Sequence, residues 1–358
     1  MKKNYFMLAA TIMMLAACAE TDVVNEIAEP QQQAISFETF ANKATRAENS
    51  SETEVLGLEQ HHGNFSVWGY KDVLTTDYVF KNVTVTADGE NWKYSPTKYW
   101  DKAANTYEFY AAAPVDAKWV LNEKTTAQDD DFFTYANLEL TGSTHASTSF
   151  VESFKSVAGD CDLMIASAEK VGETDILNAK TVQVDFNHIL SRLNITVKKD
   201  DDIASETVVL TSIKVKGLVN IASFDESNEA VTSASKTTAR WEKTTNTYDI
   251  TGNTLAEVTS SKQYVLQSLV IPQDADYEAI DRNGTSTETK PYLYIEYTIG
   301  GEPFNATYNL ANAFNETSKV AFNEGWQNTL NITLNASSIV FDANTYKWED
   351  SGVDKDID

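Results

Sequence analysis

The sequence predicts an all-β protein of two antiparallel β-sandwich domains in tandem. Short runs rich in Val, Thr, Tyr, Phe and Trp recur along the chain, bounded by clusters of Gly, Pro, Asn and Asp. Sustained helical periodicity is rare. The runs fall into two blocks of about seven, the strand number of an antiparallel sandwich. Between the blocks lies the polar stretch EKVGETDILNAK, residues 169–180, which places the division at 47–178 and 179–358.

The chain opens MKKNYFMLAATIMMLAAC. Lys2 and Lys3 form a positive n-region, and the apolar run after them is too short for an ordinary membrane span. Residues 1–17 therefore read as a signal peptide. Its end, Leu15-Ala16-Ala17-Cys18, is a lipobox, in which small residues admit the peptidase and the Cys18 thiol receives the lipid. The expected location is the outer membrane or cell surface, with membrane contact only through that N-terminal lipid. Residues 18–46 read as a lipidated propeptide. Its first part, 19–33, is a polar tether. In the segment 34–40, Ile35 and Phe37 alternate with Ser36 and Glu38, giving a strand with one apolar face. A small, polar stretch carrying Arg46 follows.

The first block contains NFSVWGY (64–70), YVFKNVTVTADG (78–89), WKYSPTKYW (92–100), TYEFYAAAP (106–114) and FFTYANLELTG (132–142), with a tight turn at Asp88-Gly89. The second contains TVQVDFNHIL (181–190), RLNITVKK (192–199), ETVVLTSIKVKGL (206–218), TTARWEK (237–243), KQYVLQSLVIPQ (262–273), YLYIEYTIGGEPFNATYNL (292–310) and WQNTLNITLNASSIVF (326–341). A short helix is expected near His188–Leu193, where Ile189, Leu190 and Leu193 share a side.

A formal net charge of −25 repels nucleic acid and anionic lipid and excludes both as partners. Once Cys18 is lipidated only Cys161 remains, so no internal disulfide forms, and Cys161 reads as a small buried hydrophobe with no histidine beside it in sequence. His61 and His62 are adjacent and would point to opposite faces of a strand. His188, amid apolar residues, reads as a hydrogen-bonded core histidine. No phosphate loop, G-x-S-x-G or H-E-x-x-H is present; Asp129–Phe133 and the Asp354–Asp358 tail are the calcium candidates but read as solvated acidic segments, and the tail lacks the turn glycine and distal glutamate of a calcium loop. No cofactor, metal or catalytic residue is expected. The seven tryptophans and sixteen tyrosines are expected mainly in cores and cross-strand pairs.

The ordered set of a lipobox, ISFETFANKATRA, FSVWGY, WKYSPTKYW, YEFYAAAP, DLMIAS (162–167), VDFNHILSRLNITVK (184–198) and FNEGWQNTLNITL resembles the fimbrillin family of Bacteroidales, subunits of type V pili, across nearly the whole chain. The resemblance implies transthyretin-like sandwiches, export as a lipoprotein, cutting after arginine by a trypsin-like protease, and polymerisation with other fimbrial subunits by strand exchange. On this chain it implies that the strand 34–40, through Ile35 and Phe37, temporarily completes the N-terminal sandwich and that Arg46-Ala47 is the bond cut. The donor candidates are Leu330, Ile332 and Leu334 in LNITL, and Ile339 and Phe341 in SIVF. The residues after Phe341 are too polar to fill an apolar groove. Either the last one or two strands move, or the subunit does not donate and sits at a tip. The alternative function is a surface lipoprotein that binds glycan or protein without polymerising, and a third is a secreted hydrolase, for which no carboxylate pair stands out.

Overall fold

The computed structural model describes residues 33–41, 62–72, 78–89, 91–122, 131–144, 160–228, 240–276, 291–314 and 319–347. Cys18, Arg46 and Ala47 lie outside them. The described residues are almost entirely β, as the alternation of apolar and polar residues requires, and no described helix is long and apolar enough to cross a membrane.

In chain order the first strands are β1 (Phe37–Ala41), β2 (Asn64–Lys71), β3 (Tyr78–Asp88), β4 (Asn91–Lys93), β5 (Thr106–Ala113), β6 (Trp119–Asn122), β7 (Phe132–Glu139) and β8 (Met164–Gly172). A one-turn helix α1 (Glu173–Leu177) leads to β9 (Val182–His188). One seven-stranded sheet has the order β1-β9-β8-β5-β2-β3-β4. All its pairs are antiparallel except β1 with β9, which is parallel, Phe37 opposite Val182 and Ala41 opposite Phe186. The β3–β4 hairpin turns at Gly89, whose φ of +65° suits a residue without Cβ.

Strand alternation gives this sheet two apolar faces. On β5, Tyr107, Phe109 and Ala111 point into one core, while Tyr110 and Ala112 point into another. Both faces are buried, so β5 shows the near-continuous burial of a central strand rather than a half-wet alternation.

The chain continues through β10 (Ser191–Lys199), β11 (Val208–Val219), β12 (Ile221–Asp225), β13 (Trp241–Lys243), β14 (Thr247–Thr251), β15 (Gln263–Val270), β16 (Gln273–Asp276), β17 (Tyr292–Ile299) and β18 (Glu302–Asn309). A short helix α2 (Leu310–Ala313) precedes β19 (Lys319–Phe322), β20 (Trp326–Leu334) and β21 (Ile339–Lys347). The sheets β15-β10-β20-β21 and β14-β11-β17-β18 enclose an aliphatic core that includes Leu193, Ile195, Leu210, Ile213, Ile295 and Leu330.

A further sheet, β13-β12-β7-β6, takes two strands from each block of the sequence. It covers the second face of the seven-stranded sheet, and Trp68, Tyr110, Phe133, Phe224 and Trp241 share that core. The division expected at 178/179 falls between β8 and β9, which pair with each other through Met164–His188 and Ala166–Phe186. Within the polar stretch 169–180, residues 169–172 are the end of β8, paired with Phe109 to Thr106 of β5, and 173–177 form the helix α1.

The helix expected near His188–Leu193 is not formed. His188 ends β9 and Ser191 begins β10, so the clustered apolar residues Ile189 and Leu190 belong to a tight passage between two sheets. Both are fully buried, in the core shared by the two blocks. An apolar cluster of that length fits a buried turn as well as a helix face.

Candidate functional site

The N-terminal strand occupies a groove built from several elements. Residues 33–36 are hydrogen-bonded on both sides. The amide of Ile35 donates to the Lys98 carbonyl at 2.9 Å and Trp100 donates to the Gln33 carbonyl at 3.0 Å, while on the other flank Val182 donates to the Ser36 carbonyl at 2.8 Å. Ala34 and Tyr99 form an antiparallel bridge, and β9 takes over the pairing from Phe37 onward. The segment that sequence reading treated as one strand, WKYSPTKYW, is thus a hairpin arm followed by a strap that holds the N-terminal strand.

Ile35 and Phe37 point inward and are 1% and 5% exposed. Phe37 is boxed by Phe65, Phe80, Tyr94 and Phe109, each edge-on, with ring centroids 5.4–6.0 Å away. These rings come from β2, β3, the strap and β5. Gly69 on β2 is part of the construction, since a Cβ there would stand 2.8 Å from the Phe109 ring. Each inward side chain contributes about 1.5–3 kcal/mol by leaving water, and each edge-on pair about 0.5–1.5 kcal/mol more. The Tyr94 phenol donates to the Ile35 carbonyl at 2.7 Å, and burial raises its pKa, which keeps it a donor.

The five C-terminal candidate donor residues divide between two strands. Leu330, Ile332 and Leu334 lie on β20, which is paired on both sides, parallel to β10 and antiparallel to β21, and they are 0–1% exposed in the aliphatic core. Ile339 and Phe341 lie on β21, which among the described residues is at the sheet edge and hydrogen-bonded only to β20. Their side chains are half-buried, with the Phe341 ring against Tyr308 at 4.7 Å, and Val340 between them is 49% exposed. Withdrawing β20 would break two ladders and open the core, whereas withdrawing β21 breaks one.

A pattern across the chain escaped the sequence reading. Ile35-Ser36-Phe37-Glu38-Thr39 and Ile339-Val340-Phe341-Asp342-Ala343 share Ile and Phe two apart, an acidic residue next, and a small residue after it. In both strands the Ile and the Phe face the core and the acidic residue faces solvent. Comparing the two ends of the chain position by position reveals it.

A family model described as fimbrillin-like matches residues 45–348. The chain belongs to the fimbrillin-like family. A fimbrial protein from Bacteroides vulgatus has a similar fold, with TM-score 0.53 and 16% identity over 88% of this chain and 99% of that one. A protein provisionally assigned to cell adhesion from Bacteroides uniformis aligns at TM-score 0.49 and 15% identity, over 88% of this chain and 99% of that one. The tip fimbrial protein Mfa3 from Porphyromonas gingivalis, with a C-terminal truncation, aligns at TM-score 0.39 and 8% identity, over 80% and 95%. Comparison with curated proteins returned no match.

The histidine, cysteine and aspartate candidates that lie among the described residues of this fimbrillin-like chain sit in structural contacts. His188 Nδ1 lies 2.6 Å from Asp162 Oδ2, with both side chains buried, as a core histidine requires. The fold brings His62 Nδ1 to 3.9 Å from Cys161 Sγ, a proximity that the sequence did not disclose. It does not make a nucleophile, because burial and the neighbouring Asp162, Asp116 and Asp160 push the thiol up to about 12. Asp131, from the acidic run 129–131, accepts a hydrogen bond from the Tyr70 phenol, and the Asp354–Asp358 tail lies outside the described residues. Among the described residues no group of three or more His, Cys, Asp or Glu is arranged to hold a metal ion.

Proposed function

We propose that this chain is a structural subunit of a cell-surface fimbria, without catalytic activity, that contributes to adhesion. In this reading Cys18 carries the lipid that holds the precursor at the outer membrane, and a trypsin-like protease cuts at Arg46-Ala47. The strand 34–40 then leaves, and a β21-type strand of another subunit takes its groove. The observation that carries the reading is the N-terminal segment itself, held between the strap and β9, whose Ile35 and Phe37 fill a groove assembled from distant parts of the chain. An intact linker keeps that strand at high local concentration, and cutting the linker removes this advantage. The emptied edge offers unpaired backbone and an apolar slot, the requirements for β-augmentation.

The distribution of arginine supports a cut near residue 46. The chain has four arginines, Arg46, Arg192, Arg240 and Arg282. Arg192 sits in β10 with ladders on both sides. Arg240 is 4% exposed and paired with Glu226 and Glu324 at 3.2 and 3.0 Å. A protease specific for arginine is therefore denied both by the folded body, and Arg282 lies outside the described residues.

The test is to treat the precursor and its Arg46→Ala variant with an arginine-specific protease and follow the N-terminus by mass spectrometry and the oligomeric state by light scattering. The expected result is a new N-terminus at Ala47 and association of the wild type, with the variant still monomeric. Equal assembly of the two would remove Arg46 from the mechanism. A cut protein that stays monomeric at high concentration would favour a surface lipoprotein that binds ligands without polymerising.

A further inference from the structure

The third inward position of the N-terminal strand differs in kind from the first two. Thr39 is 6% exposed, stands opposite Val184 of β9, and its Oγ1 makes no hydrogen bond. A hydroxyl taken out of water without a partner opposes the burial of its own side chain. Valine has the same shape and would fill the same space without that penalty, so packing alone does not call for threonine here. Thr39 is also the buried described residue of this strand nearest to Arg46. Peeling of a strand cut after Arg46 begins at the end where its hold is weakest, while Ile35 and Phe37 anchor the far end.

We propose that the unpartnered hydroxyl of Thr39 is what makes the N-terminal strand replaceable, and that Ala343, at the matching position of the incoming β21, favours the replacement because it brings no hydroxyl. This rests on the reading of the N-terminal strand as a placeholder. With Ile339 in the Ile35 slot and Phe341 in the ring box of Phe37, Ala343 falls where Thr39 stood and brings no hydroxyl. Ile339 and Phe341 are only half-buried along their own sheet edge, so entry into a groove that buries its occupants almost completely removes further apolar surface from water. Both changes point the same way. The replacement is favoured at the two anchor positions by added burial and at the third by the loss of an unsatisfied polar atom.

The experiment uses the full-length chain and its Thr39→Val, Thr39→Ser and Ala343→Thr variants. Each is cut with an arginine-specific protease, the freed N-terminal peptide is timed by mass spectrometry, and assembly is followed by light scattering. Thr39→Val should release the peptide about tenfold more slowly than wild type, equivalent to about 1.4 kcal/mol. Thr39→Ser, which keeps the hydroxyl and loses a methyl, should release it at least as fast as wild type. Ala343→Thr should leave peptide release from its own groove unchanged and slow assembly about tenfold. Release from Thr39→Val at the wild-type rate, while the cut wild type still sheds its peptide and assembles, overturns this proposal and leaves the placeholder reading intact. Retention of the peptide by cut wild-type protein overturns both.

Discussion

The Tyr94 phenol donates a 2.7 Å hydrogen bond to the backbone carbonyl of Ile35, and the ring that carries it also forms one wall around Phe37. One residue of the strap thus holds the N-terminal strand through its backbone and its side chains together. Tyr94→Phe keeps the ring contact and deletes the bond. The precursor should lose about 0.5–1.5 kcal/mol of stability, read as a lower urea midpoint at unchanged slope, and the cut form should shed its peptide faster. An unchanged midpoint would mean that the phenol contributes nothing net.

Phe37→Asp places a carboxylate among four aromatic rings. The strand should leave its groove without any cut, because burying an unpaired charge costs more than the remaining Ile35 contacts return. Size-exclusion chromatography of the uncut variant should show oligomers where the wild type is monomeric. A monomeric, fully stable Phe37→Asp precursor would show that the groove does not depend on this residue.

Limited digestion of the folded precursor with an arginine-specific protease should give no cut after Arg192 or Arg240. The ladders on both sides of β10 and the near-complete burial of Arg240 keep those bonds out of an extended protease site. Cleavage at either position before Arg46 would contradict the proposed route.

Glu324 supplies a pH signature. Burial, opposed by Arg240, pushes its pKa from 4.5 up to about 8. Between those values the folded state holds a proton that the unfolded state has released, so this group's contribution to stability falls as pH rises from about 4.5 to 8. Glu324→Gln keeps an acceptor for Arg240 Nη1 and removes the titration. Urea midpoints at pH 5 and pH 8 should therefore differ less in the variant than in the wild type. An equal pH slope in the two proteins would show that Glu324 does not titrate in that window.

Much of this molecule was legible in the sequence because strand alternation is a local signal. The pairs Ile35/Phe37 and Ile339/Phe341 declared their inward faces directly, and the strands around Phe65, Phe109 and Ile195 were bounded by turn residues. Short strands such as β6, β12 and β19 were missed, because four or five residues carry too little periodicity to stand out. Partnership is non-local and was not legible. Nothing near Tyr94 announces that its phenol reaches Ile35, and nothing in β7 announces that it pairs with β12 more than eighty residues later. The same holds for Thr39, whose unsatisfied hydroxyl becomes visible only once its surroundings are known, and for the polar stretch 169–180, where composition imitated a linker.

The sheet that joins β6 and β7 to β12 and β13 determines how such a subunit answers a pull. In a filament joined as proposed, tension would enter at the N-terminal groove and leave through β21. It would meet strands from both blocks knitted side by side over a common aromatic core. Several hydrogen-bond ladders would have to slide together before the blocks separate, so a filament joined as proposed would yield at its joints before its bodies stretch, a jointed rod rather than a string of beads.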